Sequence, residues 1–197
     1  MQINYEESPY LHFLVDNFYT SEVFSYIYNK SFELVDETTR NHCRQTNDRR
    51  VFDLIWEDIA WGKVIQPFET LTQTVCSEKN PKLLEKINSP TYGPAAQMQF
   101  IPRGWDYNTV HTDIPSKIFT FTVYISEKGK GTQIFSGPNM EDHVKTTDWQ
   151  KNSGMGFIRT NDSWHNFGAL EDHDRVSITY FYREVKEYQE TKGYSYM

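Results

Sequence analysis

The sequence predicts an α+β protein that is mainly β, with an antiparallel sandwich or barrel supported by helices. In the first half of the chain, apolar residues recur at helical spacing. From Gln97 onward the chain changes to short β-branched and aromatic runs separated by Gly, Pro, Asn and Asp, which is typical of closely spaced strands. Aromatic residues make up 16% of the 197 residues, which is enough apolar surface for one domain with a core and excludes intrinsic disorder.

The N-terminal half is expected to contribute one strand and two helices. The short apolar run Leu11–Val15 fits an extra edge strand. Ser21 is a suitable N-cap for a helix that ends near Ser31, and Asp53 opens a longer helical segment. The polar and charged stretch Asp36–Arg50 between them is expected to be a loop. The apolar residues of the longer segment that recur at helical spacing are Leu54, Ile55, Ile59, Val64, Ile65, Phe68, Leu71 and Val75.

The second half is expected to form the sheets. The candidate strands are Gln97–Ile101, Lys117–Ser126, Thr132–Phe135, Gly156–Arg159 and Arg175–Arg183. Two of them alternate clearly, because successive side chains of a strand point to opposite faces of the sheet. Their apolar faces carry Phe119, Phe121, Val123, Ile125, Val176, Ile178, Tyr180 and Tyr182. Their other faces carry Thr120, Thr122, Tyr124, Ser126, Arg175, Ser177, Thr179 and Phe181.

The hydroxyl-bearing faces of these two strands allow two interpretations. Such a face can simply meet water, as in many antiparallel sheets. Solvent faces usually carry Lys and Glu, however, whereas these carry Thr, Ser and Tyr with a single Arg. That set suits the interior of a small barrel that holds a compact anion.

Charge and composition exclude several classes of protein. The net charge of −7 argues against broad binding to duplex nucleic acid or to an anionic membrane, although Arg40, Arg44, Arg49 and Arg50 form a local basic patch. The sequence contains neither an apolar run of membrane-spanning length nor a secretory signal. Cys43 and Cys76 lie far apart in no metal-binding or redox spacing, so we expect reduced thiols and a cytoplasmic protein.

One set of residues in the second half of the chain indicates a metal-dependent function. His111 and Asp113 precede the Thr-rich strand, and in extended backbone residues i and i+2 share a face, so both side chains can reach one ion. His165 follows a later strand. Two imidazoles and one carboxylate form the facial triad of non-haem Fe(II) oxygenases, which leaves positions open for a 2-oxo acid and dioxygen. Arg175 and Ser177, which open the last strand, can bind the far carboxylate of such an acid.

These motifs resemble the 2-oxoglutarate- and Fe(II)-dependent dioxygenases, and most closely the prolyl-4-hydroxylase-like branch. The matching segments are His111–Asp113, Phe121–Ser126, Gly131–Phe135, Ser163–His165, Arg175–Ser177 and the opening stretch Ser8–Phe18. The resemblance implies a double-stranded β-helix (jelly-roll, cupin-like) core of two antiparallel sheets, with the N-terminal helices packed on one of them. It also implies a single domain over 1–197, with supporting elements to about 95, the catalytic core at about 96–184 and a tail at 185–197.

The resemblance assigns roles to individual side chains. The implied iron ligands are His111, Asp113 and His165. Arg175 is the implied partner of the 2-oxoglutarate carboxylate, joined by Tyr124, Ser177, Thr122 and Gln99. Substrate contacts are expected from Arg103, Trp105, Tyr107 and Arg159. The implied cofactors are Fe(II) and 2-oxoglutarate, with O₂ as co-substrate.

The implied reaction is hydroxylation of a C–H bond in a peptide, amino-acid or small-molecule substrate, with release of succinate and CO₂. Two other functions remain open: a cupin-like protein that binds a metal or ligand without redox turnover, and a zinc hydrolase built on the same three ligands. Arg175 favours the dioxygenase, since neither alternative needs a clamp for an oxo acid. Asp113 disfavours halogenation, because related halogenases have a small residue there. The oligomeric state is left open.

Overall fold

The computed structural model describes residues 1–36, 43–46, 49–53, 61–105 and 109–185. Three α-helices are described: Ser21–Asp36 (α1), Trp61–Lys79 (α2) and Pro81–Ile87 (α3). The strands, in chain order, are Gln2–Glu6 (β1), His12–Asp16 (β2), Cys43–Thr46 (β3), Arg49–Asp53 (β4), Tyr92–Ile101 (β5), Lys117–Tyr124 (β6), Gln133–Phe135 (β7), His143–Thr146 (β8), Gly154–Ile158 (β9), His165–Asn166 (β10) and Arg175–Glu184 (β11).

The strands form two antiparallel sheets. The major sheet has the order β1-β2-β9-β6-β11-β5-β4-β3, and the minor sheet has the order β10-β7-β8. Neighbours in the major sheet come from distant parts of the chain, as when β11 pairs with β5 on one side and with β6 on the other. This arrangement confirms the expected jelly-roll core of two antiparallel sheets.

The apolar face of the major sheet packs against the helices. Phe68 of α2 is fully buried, with its ring centroid 5.0 Å from that of Tyr180 and 5.8 Å from that of Phe119. Phe121 and Ile178, on the same face, are also fully buried. The expected position of the N-terminal helices on one sheet is therefore confirmed. In the part of the chain that the structure describes, no helix combines the length and apolar character needed to cross a membrane.

Three expectations for the N-terminal half are wrong. Leu11–Val15 corresponds to β2, which is not an edge strand because β1 pairs with its free side from Gln2↔Asp16 to Glu6↔His12. Asp36–Arg50 is not simply a loop, since it contains β3 and the start of β4. Asp53 ends β4 instead of opening a helix, and α2 begins at Trp61. Leu54, Ile55 and Ile59 lie outside the described residues.

The first helix also differs from expectation at both ends. Its N-cap is Thr20, whose hydroxyl accepts a hydrogen bond from the Val23 amide at 3.4 Å, so Ser21 is already the first helical residue. The helix continues beyond Ser31 to Asp36. Ile27 and Ser31 are both fully buried, so the helix is held to the core along its length.

Candidate active site

The hydroxyl-bearing face of the major sheet lines a cavity of about 280 Å³. Strands β5, β6, β9 and β11 contribute to its wall, and β10 of the minor sheet contributes His165. Of the two interpretations of this face, the structure therefore supports the interior one. The polar side chains in the lining are Gln97, Gln99, His111, Thr112, Asp113, Lys117, Thr120, Thr122, Thr132, His165, Arg175 and Thr179.

The backbone brings His111 and His165 together. The two residues form an antiparallel bridge, with the His111 amide 3.1 Å from the His165 carbonyl oxygen and the His165 amide 2.9 Å from the His111 carbonyl oxygen. Their ring centroids are 4.4 Å apart. Two histidines that lie 54 positions apart in the sequence are thus neighbours on the cavity wall.

Both imidazoles are oriented in the same way. The Nδ1 atom of His111 lies 3.2 Å from the carbonyl oxygen of Thr109, and Nδ1 of His165 lies 3.0 Å from that of Ser163. A carbonyl only accepts hydrogen bonds, so each contact assigns the ring proton to Nδ1 and leaves the lone pair on Nε2. A carbonyl that fixes the tautomer through Nδ1 is the usual arrangement behind a metal-binding histidine.

Both rings are neutral near pH 7. Burial, together with the neighbouring His165, lowers the pKa of His111 to about 4. Burial also lowers the pKa of His165, which is 8% exposed. A neutral imidazole that carries its lone pair on Nε2 is a good ligand for a divalent metal.

The third predicted ligand, Asp113, is held by two neighbouring side chains. One carboxylate oxygen lies 2.8 Å from Lys117 Nζ, and the other accepts a hydrogen bond from the Thr120 hydroxyl at 2.6 Å. Burial alone would raise the pKa of Asp113, but Lys117, His165 and Thr120 together lower it well below its usual range. The carboxylate is therefore ionised although it is only 7% exposed. Arg159 also donates from Nε to the Asp113 carbonyl oxygen at 3.1 Å.

The three predicted ligands lie on one cavity wall, but they do not yet converge on one point. Within the described residues, no group of three or more His, Cys, Asp or Glu side chains is arranged to hold a metal ion. Both oxygens of the Asp113 carboxylate are bonded to side chains of β6, one to Lys117 and the other to Thr120. The ligand assignment of His111, Asp113 and His165 therefore stays a prediction.

Arg175 is almost completely buried at the start of β11 and lines the same cavity. Its guanidinium carbon lies 5.4 Å from the ring centroid of Trp149 and 5.6 Å from that of Phe167. Ser177, two positions further along the same face, is fully buried, and its hydroxyl has no hydrogen-bond partner among the described residues. A buried cation between two rings, beside a cavity, is suited to a carboxylate guest.

The other predicted co-substrate residues divide into two groups. Thr122 and Gln99 line the cavity, and both lie within hydrogen-bond distance of the Thr179 hydroxyl, at 3.0 and 3.3 Å. Tyr124 is buried behind the wall, where its hydroxyl bonds Thr147 at 2.7 Å and Thr132 at 3.2 Å. The predicted role of Tyr124 in binding 2-oxoglutarate thus has no direct contact with the cavity to support it.

Three of the four predicted substrate residues, Arg103, Trp105 and Arg159, are described, and none of the three belongs to the cavity lining. Arg103 is largely exposed, with Nε 3.6 Å from Asp174 Oδ1. Trp105 stacks on Phe167, which does line the cavity, with ring centroids 6.0 Å apart. Arg159 is partly buried behind Asp113, and Tyr107 lies outside the described residues.

Sequence reasoning missed several residues of the site. Thr120 and Thr179 were visible as members of the hydroxyl-bearing faces, but no specific role was assigned to either. For Lys117 the sequence offers one indication, which is its position four residues after Asp113. This spacing predicts contact in a helix but not at the start of a strand, where Lys117 lies. Nothing in the sequence indicates that Trp149 contacts Arg175, because the two residues lie far apart along the chain.

Comparison with solved structures identifies the architecture. A prolyl-4-hydroxylase from Pseudomonas putida superimposes with a TM-score of 0.67 at 11% identity, over 88% of this chain and 92% of that one. The viral collagen prolyl hydroxylase from Paramecium bursaria Chlorella virus-1 gives a TM-score of 0.61 at 14% identity, over 88% and 96%. The chain has the prolyl-4-hydroxylase fold. A Trichoplax adhaerens prolyl hydroxylase gives a TM-score of 0.61 at 16% identity, over 92% and 87%.

These likenesses confirm the resemblance at the level of the prolyl-4-hydroxylase fold. No protein-family model matches the sequence, and no curated protein matches it. The likeness is therefore one of fold, at 11–16% sequence identity.

The cavity of this prolyl-4-hydroxylase fold fits Fe(II) and a 2-oxo acid by its donor chemistry. Two neutral imidazoles offer Nε2, and an ionised carboxylate lies next to them. The buried Arg175 guanidinium lines the cavity and is a cation that a carboxylate guest would bind, whereas Ser177, two positions further along β11, is buried outside the lining. The side chains present therefore fit both groups, provided that the Asp113 carboxylate exchanges its ion pair with Lys117 for the metal.

Proposed function

We propose that this protein is an Fe(II)- and 2-oxoglutarate-dependent dioxygenase that hydroxylates a C–H bond. The observation that carries the proposal is the combination found in one cavity. Two histidines of its lining have Nδ1 bonded to backbone carbonyls, which leaves the imidazole lone pair on Nε2, and a buried arginine lines the same space. Neither feature alone is specific, but a metal pair and a carboxylate clamp together match an enzyme that chelates an oxo acid.

Each residue has a defined task in this proposal. His111, His165 and Asp113 would hold Fe(II), and Arg175 with Ser177 would bind the distal carboxylate of 2-oxoglutarate. Bound together, the metal, the oxo acid and O₂ supply the oxidation, in which the acid becomes succinate and CO₂ and one oxygen atom enters the substrate. Thr122, Thr179 and Gln99 form the hydrogen-bonding wall alongside. The flanking Trp149 and Phe167 rings shield Arg175 from water, which strengthens its attraction for a carboxylate.

The volume of the cavity limits the class of substrate. The cavity of about 280 Å³ holds an oxo acid and one small group, so the substrate presents a single side chain or is itself small. Among the structural relatives, one is a collagen prolyl hydroxylase in a 2-oxoglutarate complex and another is bound to a hypoxia inducible factor peptide fragment. We therefore propose a peptide, amino-acid or small-molecule substrate. Contacts to it are assigned to Arg103, Trp105, Tyr107 and Arg159.

One observation favours a second candidate function. The Asp113 carboxylate is bonded to Lys117 and Thr120 in the structure. If it keeps those partners when the site is filled, two histidines remain as ligands, and the protein binds a metal or an organic anion without redox turnover, as a cupin-like binding protein does. Both candidates are compatible with a cytoplasmic location, for which the buried free thiol of Cys76 is a supporting observation.

Anaerobic reconstitution separates the two functions. The protein is titrated with Fe(II) in the presence of 2-oxoglutarate, and the weak visible charge-transfer band of the chelate is recorded. We expect the band in the wild-type protein, its loss in His165→Ala, and succinate formation when O₂ is admitted. His143→Ala is the matched control, because His143 is exposed and lies outside the cavity lining. Metal binding without succinate, tested over a substrate panel, would favour the binding protein, and the absence of metal binding would exclude both metal-dependent functions.

A further inference from the structure

The Asp113 carboxylate is bound by two side chains of different chemistry. Lys117 Nζ lies 2.8 Å from Oδ1, and the Thr120 hydroxyl donates to Oδ2 at 2.6 Å. Both partners belong to strand β6, and Lys117, Thr120 and Asp113 all line the cavity. Each carboxylate oxygen thus has one strong donor inside the space that a metal would enter.

Thr120 is a fixed and neutral partner. It is 5% exposed and lies within β6, where Thr120 pairs with Phe181 on one side and with Phe157 on the other. A hydroxyl that donates to Oδ2 carries no net charge, so it does not repel a cation at Oδ1. It bonds one carboxylate oxygen only, so Oδ1 is the oxygen for which Lys117 and a metal would compete.

Lys117 is a charged partner that can move. It is the first residue of β6, its side chain is 22% exposed, and its ammonium also lies 4.8 Å from the centroid of the Phe181 ring. The flexible stem of a lysine lets the ammonium leave Oδ1 and remain over the aromatic face. A divalent ion and this ammonium both require Oδ1, and two cations at one carboxylate repel each other.

From these contacts, and resting on the proposed function, we propose that Lys117 and Fe(II) compete for the Asp113 carboxylate, whereas Thr120 positions it for the metal. In the metal-free protein the ammonium neutralises a carboxylate that would otherwise be buried alone. Metal binding then exchanges one cation for another. Lys117 and Thr120 are positioning residues, and removing them changes metal affinity in opposite directions.

The test compares four variants of the full chain. Mn(II) is the probe for anaerobic titration, because it is insensitive to traces of oxygen, and Fe(II) titrations follow. We expect Lys117→Met to bind Mn(II) about tenfold more tightly, since a competing charge-assisted hydrogen bond is lost. We expect Thr120→Val to bind about tenfold or more weakly, as is usual when a residue that orients a metal ligand is removed. Lys117→Arg and Thr120→Ser keep the donors and should stay close to the wild-type affinity.

A thermal readout makes the test independent of catalysis. Metal-free Lys117→Met should melt below the wild type, because it leaves Asp113 without its counter-ion, and saturating Mn(II) should raise its melting temperature by more than it raises that of the wild type. Equal or weaker Mn(II) binding by Lys117→Met, in a wild type that binds the metal, overturns the competition alone. If the wild type binds neither Mn(II) nor Fe(II), the proposed function falls as well. If Lys117→Met does not fold, Lys117→Gln replaces it in the same comparison.

Discussion

The ring of Trp149 stacks on the ring of Tyr124, with 4.2 Å between centroids and 19° between planes. Trp149 is further fixed by its indole N–H, which donates to the Ser126 carbonyl oxygen at 2.8 Å. The same ring lies 5.4 Å from the guanidinium carbon of Arg175. Tyr124 thus packs against the ring that lies near Arg175, and under the proposed function it acts on 2-oxoglutarate through Trp149, since its own hydroxyl is bonded to Thr147.

Replacing Trp149 should weaken 2-oxoglutarate binding without removing it. Trp149→Ala deletes both the stacking on Tyr124 and the cation–π contact with Arg175, which is a loss of about 0.5–2 kcal/mol for the latter contact. We expect Trp149→Phe, which keeps a ring but loses the hydrogen bond to Ser126, to lie between the wild type and Trp149→Ala. Anaerobic calorimetry with 2-oxoglutarate measures the series. A Trp149→Ala protein with wild-type affinity would show that the ring does not support the clamp.

Arg175 should control the affinity for the oxo acid and leave metal binding intact. Arg175→Met removes a buried, charge-assisted contact of about 1.5–3 kcal/mol, so the Kd for 2-oxoglutarate should rise about tenfold to a hundredfold. Arg175→Lys keeps the charge but not the two parallel N–H groups, and it should fall between the two. Mn(II) titration of the same variants is the control. A loss of metal affinity equal to the loss of 2-oxoglutarate affinity would indicate general damage to the fold.

The fold could be anticipated where side-chain patterns are local. The alternation in Lys117–Ser126 and Arg175–Arg183 predicted β6 and β11 together with the face that lines the cavity, because each strand is half apolar and half hydroxyl-bearing. Strands β3 and β4 escaped prediction because the polar and charged sequence there lacks such a pattern. Their pairing rests on backbone hydrogen bonds to each other and from β4 to β5, with Arg50 opposite Phe100. β1 was not predicted either; among the described strands it lies at the edge of the major sheet, next to β2.

For the candidate site, the sequence predicted which residues belong together, from their types and their order along the chain, but not how they contact one another. His111, Asp113, His165 and Arg175 came from motif spacing, and the structure puts all four on one cavity wall. The sequence could not predict that Lys117 and Thr120 bond the Asp113 carboxylate, because these contacts depend on how the segment before β6 folds back onto the strand. The shielding of Arg175 likewise depends on tertiary packing between segments that are far apart along the chain.

Phe68 should carry much of the attachment of helix α2 to the major sheet. Its fully buried ring contacts Phe119, Tyr180 and Tyr182, so Phe68→Ala leaves a cavity between the helix and the sheet. We expect a loss of about 3–5 kcal/mol in the free energy of unfolding. Lys63→Ala, at an exposed position of the same helix, is the control and should change that free energy by less than about 0.5 kcal/mol. Urea unfolding followed by circular dichroism measures both, and equal losses would contradict the packing role of Phe68.

Lowering the pH should decrease the free energy of unfolding of the metal-free protein, over a pH range that lies between the folded and unfolded pKa values of its histidines. Burial and the neighbouring His165 lower the pKa of His111 to about 4, whereas a histidine in an unfolded chain titrates at about 6.5. Between these two values the unfolded state binds a proton that the folded state excludes. The free energy of unfolding therefore falls as the pH is lowered from about 6.5 to about 4. His12 and His165, whose pKa values burial also lowers, act in the same direction.

The measurement is the urea midpoint of the protein in EDTA at several pH values across that window. We expect the urea midpoint of His111→Gln to fall less steeply with decreasing pH than that of the wild type. The variant lacks one of the histidines whose protonation favours the unfolded state. His143→Gln should leave the slope unchanged, since His143 is exposed. Below about pH 4 a further loss should follow, because the lowered pKa of Asp113 means that the ionised carboxylate stabilises the folded state and is protonated more readily in the unfolded one. A His111→Gln slope as steep as the wild-type slope would show that His111 is not the neutral, partly buried base that the structure describes.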